Sequence, residues 1–137
     1  MTLPCKDRVQ GELNDRIVEI RKLWKLYQKD PDASDYDLGS FHEYGLGFDY
    51  VPKRTFSDQK RSYFRWQLSW GGPSDEFRFY VDEDFDPIEI EYWFLDWFDG
   101  ASVSLQGRSY DLLSEIFDYF KEIGAVASER YKATHQS

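Results

Sequence analysis

The sequence predicts an α+β domain: an N-terminal helix, an antiparallel meander of about five strands, and a C-terminal helix packed on the sheet. Three observations predict it. Apolar residues recur at helical spacing near both ends of the chain. Between those ends the apolar period switches to two. The links between the period-two runs are too short to hold crossover helices, so consecutive strands must run antiparallel.

The first helix rests on Val9, Leu13, Ile17, Ile20, Trp24 and Tyr27, whose spacings of three and four put them on one face. Arg21, Lys22, Lys25 and Lys29 fall largely on the other side and suit the negative end of the helix dipole. Pro31, between Asp30 and Asp32, cannot continue the hydrogen-bond ladder and ends the helix. Residues 32–47 are turn-rich, with room for one short helical turn. Leu46, Phe48 and Tyr50 begin the period-two region, and Pro52 stops that strand. The run "KRTFSDQKR" is a polar loop. Phe64, Trp66, Leu68 and Trp70 then alternate with Tyr63, Arg65, Gln67 and Ser69 until Gly71-Gly72-Pro73 breaks the pattern.

Phe77, Phe79 and Val81 mark the next strand, and the acidic run from Asp82 to Asp86 is the following loop. The longest strand covers 88–98. Its first half sets Ile88, Ile90 and Tyr92 against Glu89 and Glu91. Its second half is apolar on both faces, which predicts a central strand covered on both sides. Asp99-Gly100 reads as a two-residue hairpin turn, and Ala101, Val103 and Leu105 as the returning strand. Ser109 is a good N-cap for the last helix, whose apolar face is Leu113, Ile116, Phe117, Phe120 and Ile123; Gly124 suits its end. The domain is thus expected over 1–124, with 125–137 as a frayed or loose tail.

Composition sets the function classes. The 137 residues are 41% hydrophobic and 19% aromatic, enough for one domain with a substantial core and too aromatic for a disordered chain. A net charge of −9 excludes the basic surface that nucleic-acid binding needs, so no direct nucleic-acid contact is expected. The N-terminal residues lack an apolar signal region, and no run approaches the roughly 18 apolar residues of a membrane span. The single cysteine, Cys5, fits a reducing compartment. A cytoplasmic protein without membrane contact is the expectation.

No catalytic chemistry stands out. Nucleophilic catalysis needs a base within reach, yet Cys5, His42 and His135 are scattered along the chain. The glycines of "YGLGF" lack the third glycine of a dinucleotide fingerprint and precede a strand rather than a helix. Asp82, Asp84 and Asp86 open like a calcium loop, but Pro87 stands where the turn glycine belongs and Trp93 where the bidentate glutamate belongs. Catalytic residues, metal ligands and cofactors are therefore not assigned. A weak metal site in the Asp82–Asp86 loop is kept as an alternative.

The acids carry the functional expectation. Residues 1–70 hold 12 basic and 11 acidic side chains, whereas 71–137 hold 5 and 15. Between 75 and 99 ten acids face Arg78 alone. Asp111, Glu115, Asp118 and Glu122 recur at four, three and four on the last helix, opposite its apolar face. Glu89 and Glu91 share one face of a strand, and Asp82, Glu83, Asp84 and Asp86 crowd one loop. Like charges at this spacing cost a few tenths of a kcal/mol each. Rows of carboxylates on rigid elements imitate nucleic-acid phosphates, spaced at about one charge per 1.7 Å of duplex. The expected function is a non-enzymatic acidic binding protein that engages a basic protein partner, one that handles nucleic acid, as a DNA mimic of the antirestriction or anti-CRISPR kind. The alternative is an immunity-type protein that neutralises a nuclease toxin. The abundant aromatics add the expectation of a homodimer formed through the sheet.

Trp70-Gly71-Gly72-Pro73 and Trp97-Phe98-Asp99-Gly100-Ala101, within residues 63–101, resemble segments of uncharacterised small acidic proteins of plasmids and conjugative mobile elements. The resemblance covers under a third of the chain and implies no activity. It associates the chain only by class with the acidic inhibitors that such elements carry.

Overall fold

A computed structural model describes residues 3–53, 55, 59 and 61–135. Helix α1 (Cys5–Lys29) is followed by a minimal hairpin of β1 (Ser34–Asp35) and β2 (Gly39–Ser40), and by the single turn α2 (Phe41–Tyr44). Five strands come next: β3 (Gly47–Val51), β4 (Tyr63–Ser69), β5 (Ser74–Val81), β6 (Pro87–Asp96) and β7 (Asp99–Ser104). They form one sheet in chain order, each pair antiparallel, which is the expected meander. Helices α3 (Gly107–Glu122) and α4 (Ala125–Thr134) complete the chain. No helix among the described residues is long and apolar enough to cross a membrane.

Alternating aromatics set the register. Phe48 faces Trp66, Trp66 faces Phe77, and Phe77 faces Tyr92, while Phe64 faces Phe79 and Phe79 faces Ile90. A slip of one residue would turn this whole set to the other face, so burial specifies the pairing. Helices α1 and α3 cover the aromatic face. Phe117 of α3 is fully buried, with its ring centroid 4.9 Å from Phe79 and 5.6 Å from Phe64. Phe120 stacks on Phe48 at 4.3 Å. Val9, Leu13, Ile20 and Trp24 of the predicted face are buried on the inner side of α1, joined by Leu23, while Ile17 and Tyr27 are half-buried.

The structure departs from the sequence reading at six places, each for a local reason. Strand β6 is second from the edge and β5 is central. The outer face of β6 stays only half-buried, and Trp93 is covered by the Arg78 guanidinium, 4.0 Å from its ring centroid, rather than by a second layer. Trp70 does not continue the buried row. The β4–β5 register shifts between Gln67 and Ser69, the strand ends at Ser69, and Trp70 is exposed.

The β6–β7 turn is Trp97-Phe98, not Asp99-Gly100, because Asp96 pairs with Asp99 and Leu95 with Gly100. Gly100 is instead the strand partner of Leu95, where an added Cβ would lie 2.7 Å from Leu95 Cδ2 and push that side chain aside. Helix α3 begins two residues before Ser109, at Gly107, with Gln106 at the N-cap position. Ile123 falls at the α3 C-cap and is exposed rather than buried with the helix's apolar face.

The segment expected as a loose tail is, over 125–134, a helix. Gly124, at φ +83°, reverses the chain. Helix α4 then lies along β3, with Val126 buried and Arg130 placed 5.5 Å from the ring centroids of Tyr50 and Phe85. Only Val126 is buried in α4, so a periodicity reading has no stripe to find. Residues 136–137 lie outside the described residues, as does much of the "KRTFSDQKR" loop.

Candidate functional site

The predicted acids divide between two faces. One group is the β5–β6 loop together with α3. Asp82 builds the loop: its Oδ1 accepts from the backbone N–H of Asp84 at 2.9 Å and of Asp86 at 3.0 Å. Phe85, at φ +63°, turns its half-buried ring inward against Phe64 and anchors the loop to the core. Asp86 accepts from Lys121 Nζ at 2.9 Å. That hydrogen bond raises the Lys121 pKa against its partial desolvation, and the charges of Asp86, Asp118 and Asp82 raise it further. The loop and the α3 stripe therefore meet around one lysine. Asp82, Glu83, Asp84, Asp86, Asp111, Glu115, Asp118 and Glu122 are all exposed. Glu115 accepts a 3.3 Å hydrogen bond from Gln28 of α1.

Glu89 and Glu91 lie elsewhere, on the sheet face away from the helices, and both are engaged. Glu91 Oε1 accepts from the Tyr80 hydroxyl at 2.8 Å and from Trp93 Nε1 at 3.0 Å. Glu89 pairs with Arg61 at 2.7 Å, and the Arg61 guanidinium sits 3.9 Å from the Tyr80 ring centroid. Beside them Glu76, only 3% exposed, accepts from Arg78 Nε at 2.7 Å. This face is a network of arginines, carboxylates and aromatics, in which the buried Tyr63 hydroxyl alone of these tyrosines lacks a hydrogen-bond partner among the described residues. The local excess of acids over Arg78 is reduced in three dimensions by Arg8, Arg16, Arg61 and Lys121, which come from distant parts of the chain.

The bidentate pair among them was not legible in the charge rows. Asp75, 3% exposed, takes a bidentate contact from Arg16 of α1, Nε to Oδ2 at 2.7 Å and Nη2 to Oδ1 at 3.0 Å. The Tyr92 hydroxyl donates to the same carboxylate at 2.6 Å, and the Ser69 hydroxyl donates to Oδ1. Arg16 Nη1 reaches the Tyr44 hydroxyl at 2.9 Å, and that hydroxyl donates to Glu19. Burial lowers the Arg16 pKa, but the hydrogen bonds from Asp75 and Tyr44 outweigh it and the net shift is upward. A signal did exist: Asp75 shares the strand face of Phe77 and Phe79, and Arg16 shares the helix face of Leu13 and Ile20. A lone acid and a lone base at core positions mark a buried pair.

The tyrosines around these networks give a pH prediction. Burial first, and then a carboxylate acceptor, raises the pKa of Tyr92 (Asp75), Tyr44 (Glu19) and Tyr80 (Glu91) above the ordinary value of 10.0. Burial, with a smaller contribution from Tyr27, pushes Tyr119 up to about 12. Groups raised on folding contribute stability that is complete below their unfolded pKa and is lost as pH rises through the folded value. Urea midpoints are expected to hold up to about pH 9 and to fall steadily above about pH 10. A midpoint unchanged to about pH 11.5 would contradict these assignments.

The paired edges of β4–β5 and β6–β7 end together, and this end of the domain is aromatic. Ser74 faces Leu95, so the Trp70–Pro73 loop and the Trp97-Phe98 turn lie side by side. Trp97 is 88% exposed and Phe98 fully so. The turn is clamped from both sides. Asp96 accepts from Arg8 at 2.6 Å, and Asp99 accepts from the backbone N–H of Cys5 at 2.8 Å, capping α1 in place of a local side chain. Cys5 is buried, and desolvation followed by Asp99 raises its pKa, the opposite of an activated nucleophile. His42 meets the Tyr119 hydroxyl at 3.1 Å through Nδ1, and His135 stacks on Tyr131. Among the described residues no group of three or more His, Cys, Asp or Glu converges in a way that could hold a metal ion.

No protein-family model, curated protein or solved structure matches the chain.

Proposed function

We propose that this chain is a non-enzymatic binding domain whose acidic helix–loop face engages a basic surface of a protein partner. One observation carries the reading: Asp82, Asp86 and Asp118 gather around Lys121, with Glu83, Asp84, Asp111, Glu115 and Glu122 exposed on the same loop and helix. Glu89 and Glu91 do not belong to this surface, since they complete the network on the opposite sheet face.

Carboxylates fixed on a helix and a self-capped loop lose little freedom on binding. Their summed field speeds encounter with a cationic patch in a salt-dependent way. The partner class that fits is a nucleic-acid-handling protein, and the mode is competitive occupation of its phosphate-binding cleft. The test is displacement of labelled duplex DNA from a panel of such proteins, restriction and CRISPR nucleases and nuclease toxins included, at low and high salt. Displacement by the native chain at low salt, lost on combining Asp111→Asn, Glu115→Gln, Asp118→Asn and Glu122→Gln, is the expected result. Displacement that survives both high salt and the four neutral substitutions would overturn the proposal, as would its absence across the panel.

A further inference from the structure

Two described non-glycine residues have positive φ, and they differ in what offsets the strain. Phe85 buries its ring against the core. Trp97, at φ +55°, occupies the first central position of a two-residue hairpin loop, where glycine is the usual residue, and holds its ring in water. Such strain persists only where the surroundings over-determine it. Here Arg8–Asp96 and the Cys5–Asp99 cap do that, so the fold spends two tertiary contacts on presenting an indole and a phenyl ring to solvent.

The same end carries a complementary recess. Phe41, Leu46, Phe48, Trp66, Phe120 and Ile123 line a groove of about 280 Å³, which His42 and Tyr119 also border. Gly45 at its margin has no Cβ, which would lie 2.2 Å from Trp66 Nε1, so the chain can pass close over the indole. The groove lies at the start of β3, beside the end of β4, since the Leu46 N–H donates to Gln67 O. It therefore opens at the end of the sheet that bears Trp70, Trp97 and Phe98, three strand spacings across from the turn, or about 14 Å. Its volume is at the lower bound of small-molecule pockets, about 300 Å³, and suits one aromatic side chain. Among the described residues, six of the ten exposed large apolar ones lie here: Leu3, Leu46, Trp70, Trp97, Phe98 and Ile123.

We propose that this end of the domain is a self-association surface. The Trp97-Phe98 turn of one copy enters the groove of a second copy, and the reverse contact forms at the same time about a two-fold axis through the Trp70–Pro73 loop. Knob and hole on one face are what an isologous interface requires. Three aromatic side chains, at about 150–250 Å² each, supply most of the roughly 800 Å² per partner that a stable interface buries. Charge permits the approach. The Asp82–Asp86 loop stands at the far end of the ten-residue strand β6, about 33 Å from the Trp97-Phe98 turn, and on the groove side its nearest carboxylate, Asp86, is paired with Lys121, two residues from Ile123. Near the surface, Lys6 beside Asp99 and Glu122 beside Ile123 carry opposite signs.

The test is sedimentation equilibrium of the full chain up to about 100 μM, with the position of tryptophan emission followed over the same range. A dimer whose emission shifts to the blue on association is expected. Trp97→Gly relieves the positive φ, so it is expected to raise the melting temperature of the dilute monomer while weakening the dimer by about thirtyfold or more. A role for Trp97 in folding alone predicts the opposite sign for the first effect and none for the second. Trp97→Ser/Phe98→Ser removes the knob, and Leu46→Asp/Ile123→Asp the hole. Each variant alone is expected to be monomeric, and an equimolar mixture to dimerise more strongly than either, because one of the two contacts is restored. A native chain that stays monomeric to about 100 μM would overturn the proposal. So would a dimer indifferent to these variants, or a blue shift that needs phosphatidylcholine vesicles rather than protein concentration.

Discussion

Replacement of Asp75 by alanine is expected to lower folding stability by about 3–5 kcal/mol, a large share of the 5–15 kcal/mol typical of a domain. The carboxylate takes both Arg16 contacts, the Tyr92 hydroxyl and the Ser69 hydroxyl while only 3% exposed. Its removal leaves a half-buried guanidinium with only the longer 3.6 Å contact to Glu19 and a buried phenol without an acceptor, and the lost contacts are not replaced by hydration. Asp75→Asn, which keeps shape and one acceptor, should lie between the two. The combined change Arg16→Met/Asp75→Leu should recover much of the loss, because a buried pair is costly to break and cheap to replace. Urea unfolding read by tryptophan fluorescence measures all three. A loss below about 1 kcal/mol for Asp75→Ala would mean that water reaches the site and solvates Arg16.

Phe117→Ala is expected to cost about 3–5 kcal/mol. This ring is completely buried where α3 meets β3, β4 and β5, with Phe48, Phe64 and Phe79 within 6.2 Å of its centroid. Those neighbours are themselves held by cross-strand pairing, so the cavity cannot close by collapse. The contrasting substitution is Phe120→Ala, at the margin of the open groove and 8% exposed, where solvent and side chains can refill the space. The cost there should be smaller by about 1–2 kcal/mol. Equal losses at the two positions would show that the groove is as closely packed as the core.

What the sequence made legible follows from how each force repeats along the chain. Burial repeats with the period of the element, so α1, the five strands and the apolar face of α3 could be read from Val9 to Phe120. The Trp97-Phe98 turn could not be read so, because its place is decided by the capping of α1 by Asp99 and by the fit of Gly100 to Leu95. The first is a contact 94 residues long and the second a cross-strand fit, and together they overrule the turn preference of Asp-Gly. Charge was misjudged for a related reason. Counting acids within 75–99 treats neighbours in the chain as neighbours in space, whereas Arg8, Arg16, Arg61 and Lys121 arrive from outside that window. The acids of α3 stayed readable because a helix fixes its own outer face.

The capping of α1 also bears on how the chain is made. The N–H of Cys5 and the guanidinium of Arg8 wait for acceptors 94 and 88 residues downstream. A ribosome releases the first helix long before it releases Asp96 and Asp99, so the nascent helix emerges with its first turn open and its apolar stripe uncovered. Docking of that turn must follow synthesis of the β6–β7 hairpin, which makes closure of α1 onto that hairpin a late event in folding.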